Sequence, residues 1–445
     1  MSKHVWPQHI VRELSGGFVL RPGLITLSMA GLAVVLAAAE ERVTAVKAWS
    51  DVLDRIFPPE PEAAYVVLGT IAGSMITVVS VVYSILLVVL TFASAQFSPR
   101  VLVAFVEDKV SQTTLGVFIG TFTYCLLTLP SVRSQPRPFV PSVAVIVAMV
   151  LAVGCLACLL YFIHHIAISI QASQIVDRVA RETERILDQV LPITVAGLPP
   201  AEPAEPVTAG APILATGSGY IRTIDESALI AIAEAHDVAL RVDRYIGQFV
   251  AEGTPLLGIT PPGRATAVVE DACRQAFDIG PARTMDQDVE FGVLQIVDIA
   301  LKAISPAVND PTTALTCIDQ LGRILVRAAL REPPATVLRG RDGRIRVVIR
   351  RTSFPRMLDV AFSQIRHYGR GDVAVPLRLM RVLGELACTT RNIRYAFAIR
   401  DEARRLTAAC AEGCPVDDRD RLSERLEVVE RAVTAIIAAE TRADL

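Results

Sequence analysis

The stretch Ala63–Pro99 reads AAYVVLGTIAGSMITVVSVVYSILLVVLTFASAQFSP, with no charged side chain between Glu62 and Arg100. Crossing about 30 Å of hydrocarbon takes roughly 20 apolar residues in a helix, because each backbone amide must find its partner within the segment. This stretch meets that condition, so it sets the fold: a helix that spans a membrane. Three further runs meet it too, which predicts four transmembrane helices at about 22–39, 66–93, 112–130 and 139–170.

Within the second span Thr70, Thr77, Ser84, Thr91 and Ser98 recur every seven residues, with Ser74, Ser80 and Ser94 near the same face. Seven residues are close to two helical turns, so the hydroxyls form a stripe. Two uses fit it. Small polar side chains let helices approach closely and bond across the contact. Alternatively the stripe faces water, and a ring of such helices lines an uncharged, hydroxylated pore. No Asp, Glu, Lys or Arg lies in the cores of the last three spans, which leaves a proton relay or charge-coupled transporter little to work with. His164 and His165 end the fourth span. Neighbours on a helix point about 100° apart, so the pair is ill placed to chelate one metal; it reads as an interfacial anchor or a pH-sensitive gate.

Four crossings put both termini on one side of the membrane. Arg178, Arg181 and Arg185, just after the last span, favour the cytoplasmic side of a bacterial inner membrane, although Arg42, Lys47 and Arg55 fall in the first outer loop. Ala37-Ala38-Ala39 resembles a signal cleavage site, and cleavage there leaves the order of the later spans unchanged.

Composition agrees with a membrane portion. The 445 residues are 52% hydrophobic, and a formal charge of −2 gives no field to steer nucleic acid. Only Lys3, Lys47, Lys109 and Lys302 are lysine, so the arginines after Arg339 reflect general arginine usage rather than a basic patch. The eight cysteines suggest no disulfide framework. Cys155-x-x-Cys158 has metal-like spacing without a second pair or an imidazole, and reads as packing on a membrane helix.

Beyond the spans, residues 171–212 predict an amphipathic stalk helix and a proline-rich linker, and residues 213–285 a small β-rich, barrel-like module. Gly247–Leu256 is similar to the hairpin of biotinyl and lipoyl-like barrels, yet Ala251-Glu252-Gly253 offers no lysine, so a covalent carrier role is not expected. Residues 286–445 predict a mostly helical cytosolic domain, with a hairpin around Arg341-Asp342-Gly343-Arg344 and helices at about 355–367, 376–391, 394–412 and 418–440. Asn309 or Asp310 can cap a helix that opens at Pro311. Alternatively Asp298, Asn309, Asp310 and Thr312 supply oxygen ligands to a hard cation or polar ligand. No P-loop, His-Glu-x-x-His, Gly-x-Ser-x-Gly or dinucleotide fingerprint is present, and no cofactor is expected.

Ala95-Gln96-Phe97-Ser98-Pro99-Arg100, Leu115–Phe122, Phe162–Ala167 and the run from Asp298 to Ala314 carry a resemblance to a bacterial family of predicted membrane proteins, domain-of-unknown-function family 2254. That resemblance implies the four-span plan and no activity. The residues themselves lead to the expectation of a homo-oligomeric inner-membrane channel for small ions, with lipid, a second copy and a small cation as partners and nucleic acid excluded. Two other readings stand beside it: a membrane-anchored ligand sensor or scaffold, and an enzyme acting on lipid or envelope precursors.

Overall fold

A computed structural model describes residues 19–42, 60–96, 108–135, 139–191, 210–331, 335–410 and 416–443. The chain divides into two compact units, Met1–Gln171 and Ala172–Leu445.

The first unit is a bundle of α1 (Leu20–Arg42), α2 (Pro61–Gln96), α3 (Lys109–Thr128) and α4 (Ser142–Ser169). Each helix is long and apolar enough to cross a membrane. α3 is the central one, packed against the other three. Its sequence shows why, because it is the helix richest in small and hydroxylated residues facing inward: Ser111, Thr114, Gly116, Gly120, Thr121 and Thr128 are all buried. Glycine permits the closest approach, between α3 and α1. A Cβ on Gly116 would lie 2.9 Å from the backbone of Pro22, and one on Gly120 would lie 2.5 Å from Met29 Sδ. Apolar side chains gain little by leaving lipid for another apolar surface, so close packing and interhelical hydrogen bonds hold such a bundle.

Those bonds are present at both ends. At one, both Glu40 carboxylate oxygens accept from the open amides of α4, Val143 at 2.8 Å and Ala144 at 3.3 Å. The carboxylate complements the positive end of the α4 dipole. Nearby, Tyr124 donates to the Ala144 carbonyl at 3.0 Å and Tyr65 to that of Val132 at 2.6 Å. At the other end Asp108, which caps α3 through Ser111, meets His165 of α4 at 3.1 Å. The C-terminus of α1 therefore meets the N-terminus of α4, and the N-terminus of α3 meets the C-terminus of α4, as successive crossings require.

The second unit opens with α5 (Ala172–Val190), followed by β1 (Ala211–Leu214), β2 (Gly219–Ile224), α6 (Glu226–Ala235), β3 (Ala239–Val242), β4 (Phe249–Val250), β5 (Pro255–Thr260), α7 (Ala267–Gln275) and β6 (Phe277–Gly280). Then come α8 (Val289–Ala303), α9 (Pro311–Ala329), β7 (Val337–Arg339), β8 (Ile345–Ile349), and a helical layer of α10 (Phe354–Gly369), α11 (Ala374–Thr389), α12 (Ile393–Cys410) and α13 (Val416–Ala443). The strands do not close into the expected barrel-like module. They form two open sheets, one ordered β1-β5-β3-β8-β7 with β3 and β8 parallel, the other β4-β2-β6. The reason lies in Gly247–Leu256. Val250 pairs with Gly219 in one sheet while the chain from Pro255 joins the other, so the segment resembling a lipoyl-type hairpin crosses between sheets instead of folding back on itself. Ile213, Ile221, Leu240, Leu257, Ile259 and Val347 share the core between them.

α5 also departs from the expected stalk. Ile175, Val179, Thr183, Ile186 and Leu187 are buried, and the helix packs on α8 and α9. A Cβ on Gly292 of α8 would meet Thr183 Oγ1 at 2.0 Å, so glycine admits the helix there. Three arginines four residues apart, two on α9 and one just past its end, fasten its polar edge. Arg323 binds Glu184, with Asp177 at 3.1 Å; Arg327 and Arg331 each reach Asp188 at 2.5 Å. An amphipathic pattern in sequence cannot distinguish a solvated rod from a helix laid on such a partner.

Candidate functional site

The hydroxyl stripe of α2 turns away from its own bundle. Leu68, Met75 and Val82 are buried against the other helices. Thr77, Ser84 and Thr91 each follow one of them by nine residues, which is about 180° of rotation on a helix of 3.6 residues per turn. Thr70, Ser74, Thr77, Ser84 and Thr91 are accordingly exposed. Ser98 lies outside the described residues. Gly69 and Gly73 share this outer side, and a Cβ added to either meets nothing within 4 Å. The outer side of α2 thus carries glycines and hydroxyls, with Val66, Val81 and Val88 exposed among them, that none of the unit's described helices covers.

The hydroxyl protons of Thr77, Ser80, Ser84 and Thr91 are committed to the helix itself. Thr77 donates to Gly73 O at 3.1 Å, Ser84 to Ser80 O at 2.8 Å and Thr91 to Leu87 O at 2.8 Å. Ser80 does the same to Ile76 O at 3.0 Å. With its single proton given inward, each hydroxyl keeps oxygen lone pairs for an outside partner. Chemically the face is an array of neutral acceptors, suited to a cation that has shed part of its water.

The two histidines separate. His164 is exposed, whereas His165 Nε2 sits 3.1 Å from Asp108 Oδ1 and 3.3 Å from Ser169 Oγ, with the Tyr161 ring stacked at 6.2 Å. Sequence reading missed Asp108, which lies 57 residues from His165 and carries only the signal of an acidic residue before a helix.

Asp298, Asn309, Asp310 and Thr312 sit on and between α8 and α9. Asp310 is the α9 N-cap: it accepts from the Thr313 amide at 3.1 Å and the Thr313 hydroxyl at 2.5 Å. Those hydrogen bonds hold its carboxyl below the usual range. Asn309 takes the left-handed conformation, φ 49°, that lets the chain turn between the helices. Thr312 is exposed and Asp298 half-buried within α8. The capping role accounts for Asp310 and the turn for Asn309.

A denser cluster lies at the start of α8. Asp288, buried, accepts from Arg283 Nε at 2.8 Å and from the Phe291 amide at 3.0 Å. Burial pushes its carboxyl up to about 6, against the pull of Arg283 and the Phe291 amide. Gly247, at φ 82°, lies so close that a Cβ would stand 2.2 Å from Asp288 Oδ2. A cleft opens beside this cluster, lined by Tyr245, Gln287, Asp288, Arg350, Arg351 and Thr352 over an apolar floor that includes Ile349 and Met357. Among the described residues, no group of three or more His, Cys, Asp or Glu side chains is arranged to hold a metal.

A bundle of four membrane-length helices, each with apolar side chains on its outer surface, joined to an α+β unit, defines the class: a polytopic membrane protein. The chain belongs to the family described as "Predicted membrane protein (DUF2254)", whose pattern it matches over residues 15–385. It is 33% identical over 397 residues to the uncharacterized protein Rv1290c of Mycobacterium tuberculosis and likewise to the uncharacterized protein Mb1321c of Mycobacterium bovis; each match covers 85% of this chain and 75% of the relative. No solved structure matches it.

Proposed function

We propose that the protein is a homo-oligomeric channel of the bacterial inner membrane for small cations, its termini in the cytoplasm, with α2 from several copies lining the path and the second unit assembling or gating it. The observation that carries this reading is the outward glycine and hydroxyl face of α2, set opposite the buried seam of the same helix. Gly69 and Gly73 form a Gly-x-x-x-Gly pair, the spacing at which membrane helices from separate subunits approach most closely. Further along the helix, Thr77, Ser84 and Thr91 supply neutral oxygen acceptors at intervals of two turns. The His165–Asp108 contact lies at the end of the bundle where α3 begins, near the α2 C-terminus, and tunes the mouth on that side.

Purified protein in liposomes tests the reading. Wild type carries monovalent cations at a saturable rate, and the triple variant Thr77→Leu, Ser84→Leu, Thr91→Leu carries them at least tenfold more slowly. Leucine is a good helix former and these positions are exposed, so the variant keeps its fold. Absence of cation flux in wild type, or equal flux in the variant, contradicts the channel.

A further inference from the structure

The second unit is rich in arginines that have found carboxylates: Arg283, Arg323, Arg327, Arg331, Arg346 and Arg351 all make ion pairs. Arg350 differs. It has no ion pair or hydrogen bond among the described residues, and it lines the cleft beside Asp288. A guanidinium carries five donors in a planar fork, and those of Arg350, exposed at the mouth of the cleft, remain for a partner of opposite charge.

Arg351 is a second guanidinium in the lining. Arg351 binds Glu226 through Nη2 at 2.7 Å and the Ala335 carbonyl through Nε at 2.7 Å, which holds the side chain in place and leaves Nη1 unspent. The carboxylate in the lining, Asp288, is occupied by Arg283 and by the first turn of α8. Gln287 gives its oxygen to the Ile224 amide at 3.1 Å, so its side-chain NH2 is the group left for another partner. Two guanidiniums and an amide donor therefore meet around one space.

The cleft holds about 40 Å³, against the roughly 10–15 Å³ that a single water needs by the same measure, which leaves room for one tetrahedral oxyanion. We propose that this cleft binds a phosphate group, with Arg350 and Arg351 as its principal ligands. The group comes from inorganic phosphate or from the headgroup of an anionic phospholipid. The site is distinct from Asp298, Asn309, Asp310 and Thr312, and it does not depend on the channel reading.

The test is equilibrium binding of radiolabelled inorganic phosphate to the full chain in detergent, at fixed ionic strength. Wild type binds saturably at about one phosphate per chain, and excess chloride does not compete. Arg350→Gln weakens binding at least tenfold, the loss expected for a charge-assisted bidentate contact, and leaves thermal stability in phosphate-free buffer unchanged. Arg394→Gln, an exposed arginine outside the cleft, binds as wild type does. Nanodiscs separate the sources. If phosphatidic acid in the disc blocks radiolabel binding to wild type, the headgroup occupies the site; if it does not, free phosphate is the ligand. No saturable binding in wild type, or wild-type affinity in Arg350→Gln, overturns the proposal.

Discussion

The contact of α3 with α1 and that of α5 with α9 perform the same task by opposite means. In the membrane unit Gly116 and Gly120 bring two backbones together with no charge at the contact. In the second unit Arg323, Arg327 and Arg331 grip Asp177, Glu184 and Asp188 along a polar edge, while Ile175, Val179 and Ile186 fill the apolar side. The difference follows from the solvent. Water rewards burying an apolar stripe and tolerates charge beside it, whereas lipid removes that driving force and leaves shape and hydrogen bonding to decide. A helix in lipid with an unused small-residue face is therefore informative: the glycines and hydroxyls on the outer side of α2 have no covering helix among the described residues.

Breaking each contact measures that difference. Gly116→Val has the largest expected effect, since its Cβ meets the Pro22 backbone, which cannot swing aside; a loss of about 3 kcal/mol or more is expected, read as lowered thermal stability and yield in detergent. Gly73→Val, with open space around it, leaves that stability unchanged and lowers cation flux. Glu184→Ala comes next. Its carboxylate is 10% exposed and held by Arg323, but Arg323 is 40% exposed and keeps Asp177, so the cost is about 2 kcal/mol rather than the 3–5 of a fully buried pair. Chemical denaturation of the full chain measures it. Asp288 sharpens the comparison through pH. Its folded pKa of about 6 lies above the value of about 3.9 in an unfolded chain, so the folded state binds the extra proton between the two. Stability from this group is therefore greatest below about pH 4, declines as pH rises to about 6, and is flat above, a change on the order of 3 kcal/mol. In Asp288→Asn that decline disappears from denaturation curves taken at successive pH values.

The four spans were legible because lipid imposes one rule, length without charge, that a single sequence displays directly. The α2 stripe was legible as a period, while its direction was not: Leu68 and Thr77 both suit a membrane helix, and only the partners α3 and α4 decide which faces inward. In the second unit the strands were found and their closure was misread, because Val250 and Pro255 are five residues apart yet belong to different sheets. The Asp310 cap was readable from Asn309-Asp310-Pro311, since capping is a local device. The Asp288 cleft escaped notice because its parts, Tyr245, Gln287 and Arg350, come from three separated segments with no motif of their own. Asp108 and His165 were hidden in the same way.

The account turns on whether Ser84 borders water. Ser84→Cys protein reconstituted in liposomes, treated with a membrane-impermeant, water-soluble thiol reagent, tests it most directly, with wild type and its native cysteines as the control. The account predicts that the reagent modifies the introduced thiol within the span and blocks most of the cation flux of the variant, leaving wild-type flux intact. A thiol at residue 84 that stays unmodified while cations still cross would show that the face meets lipid or protein and that the path lies elsewhere.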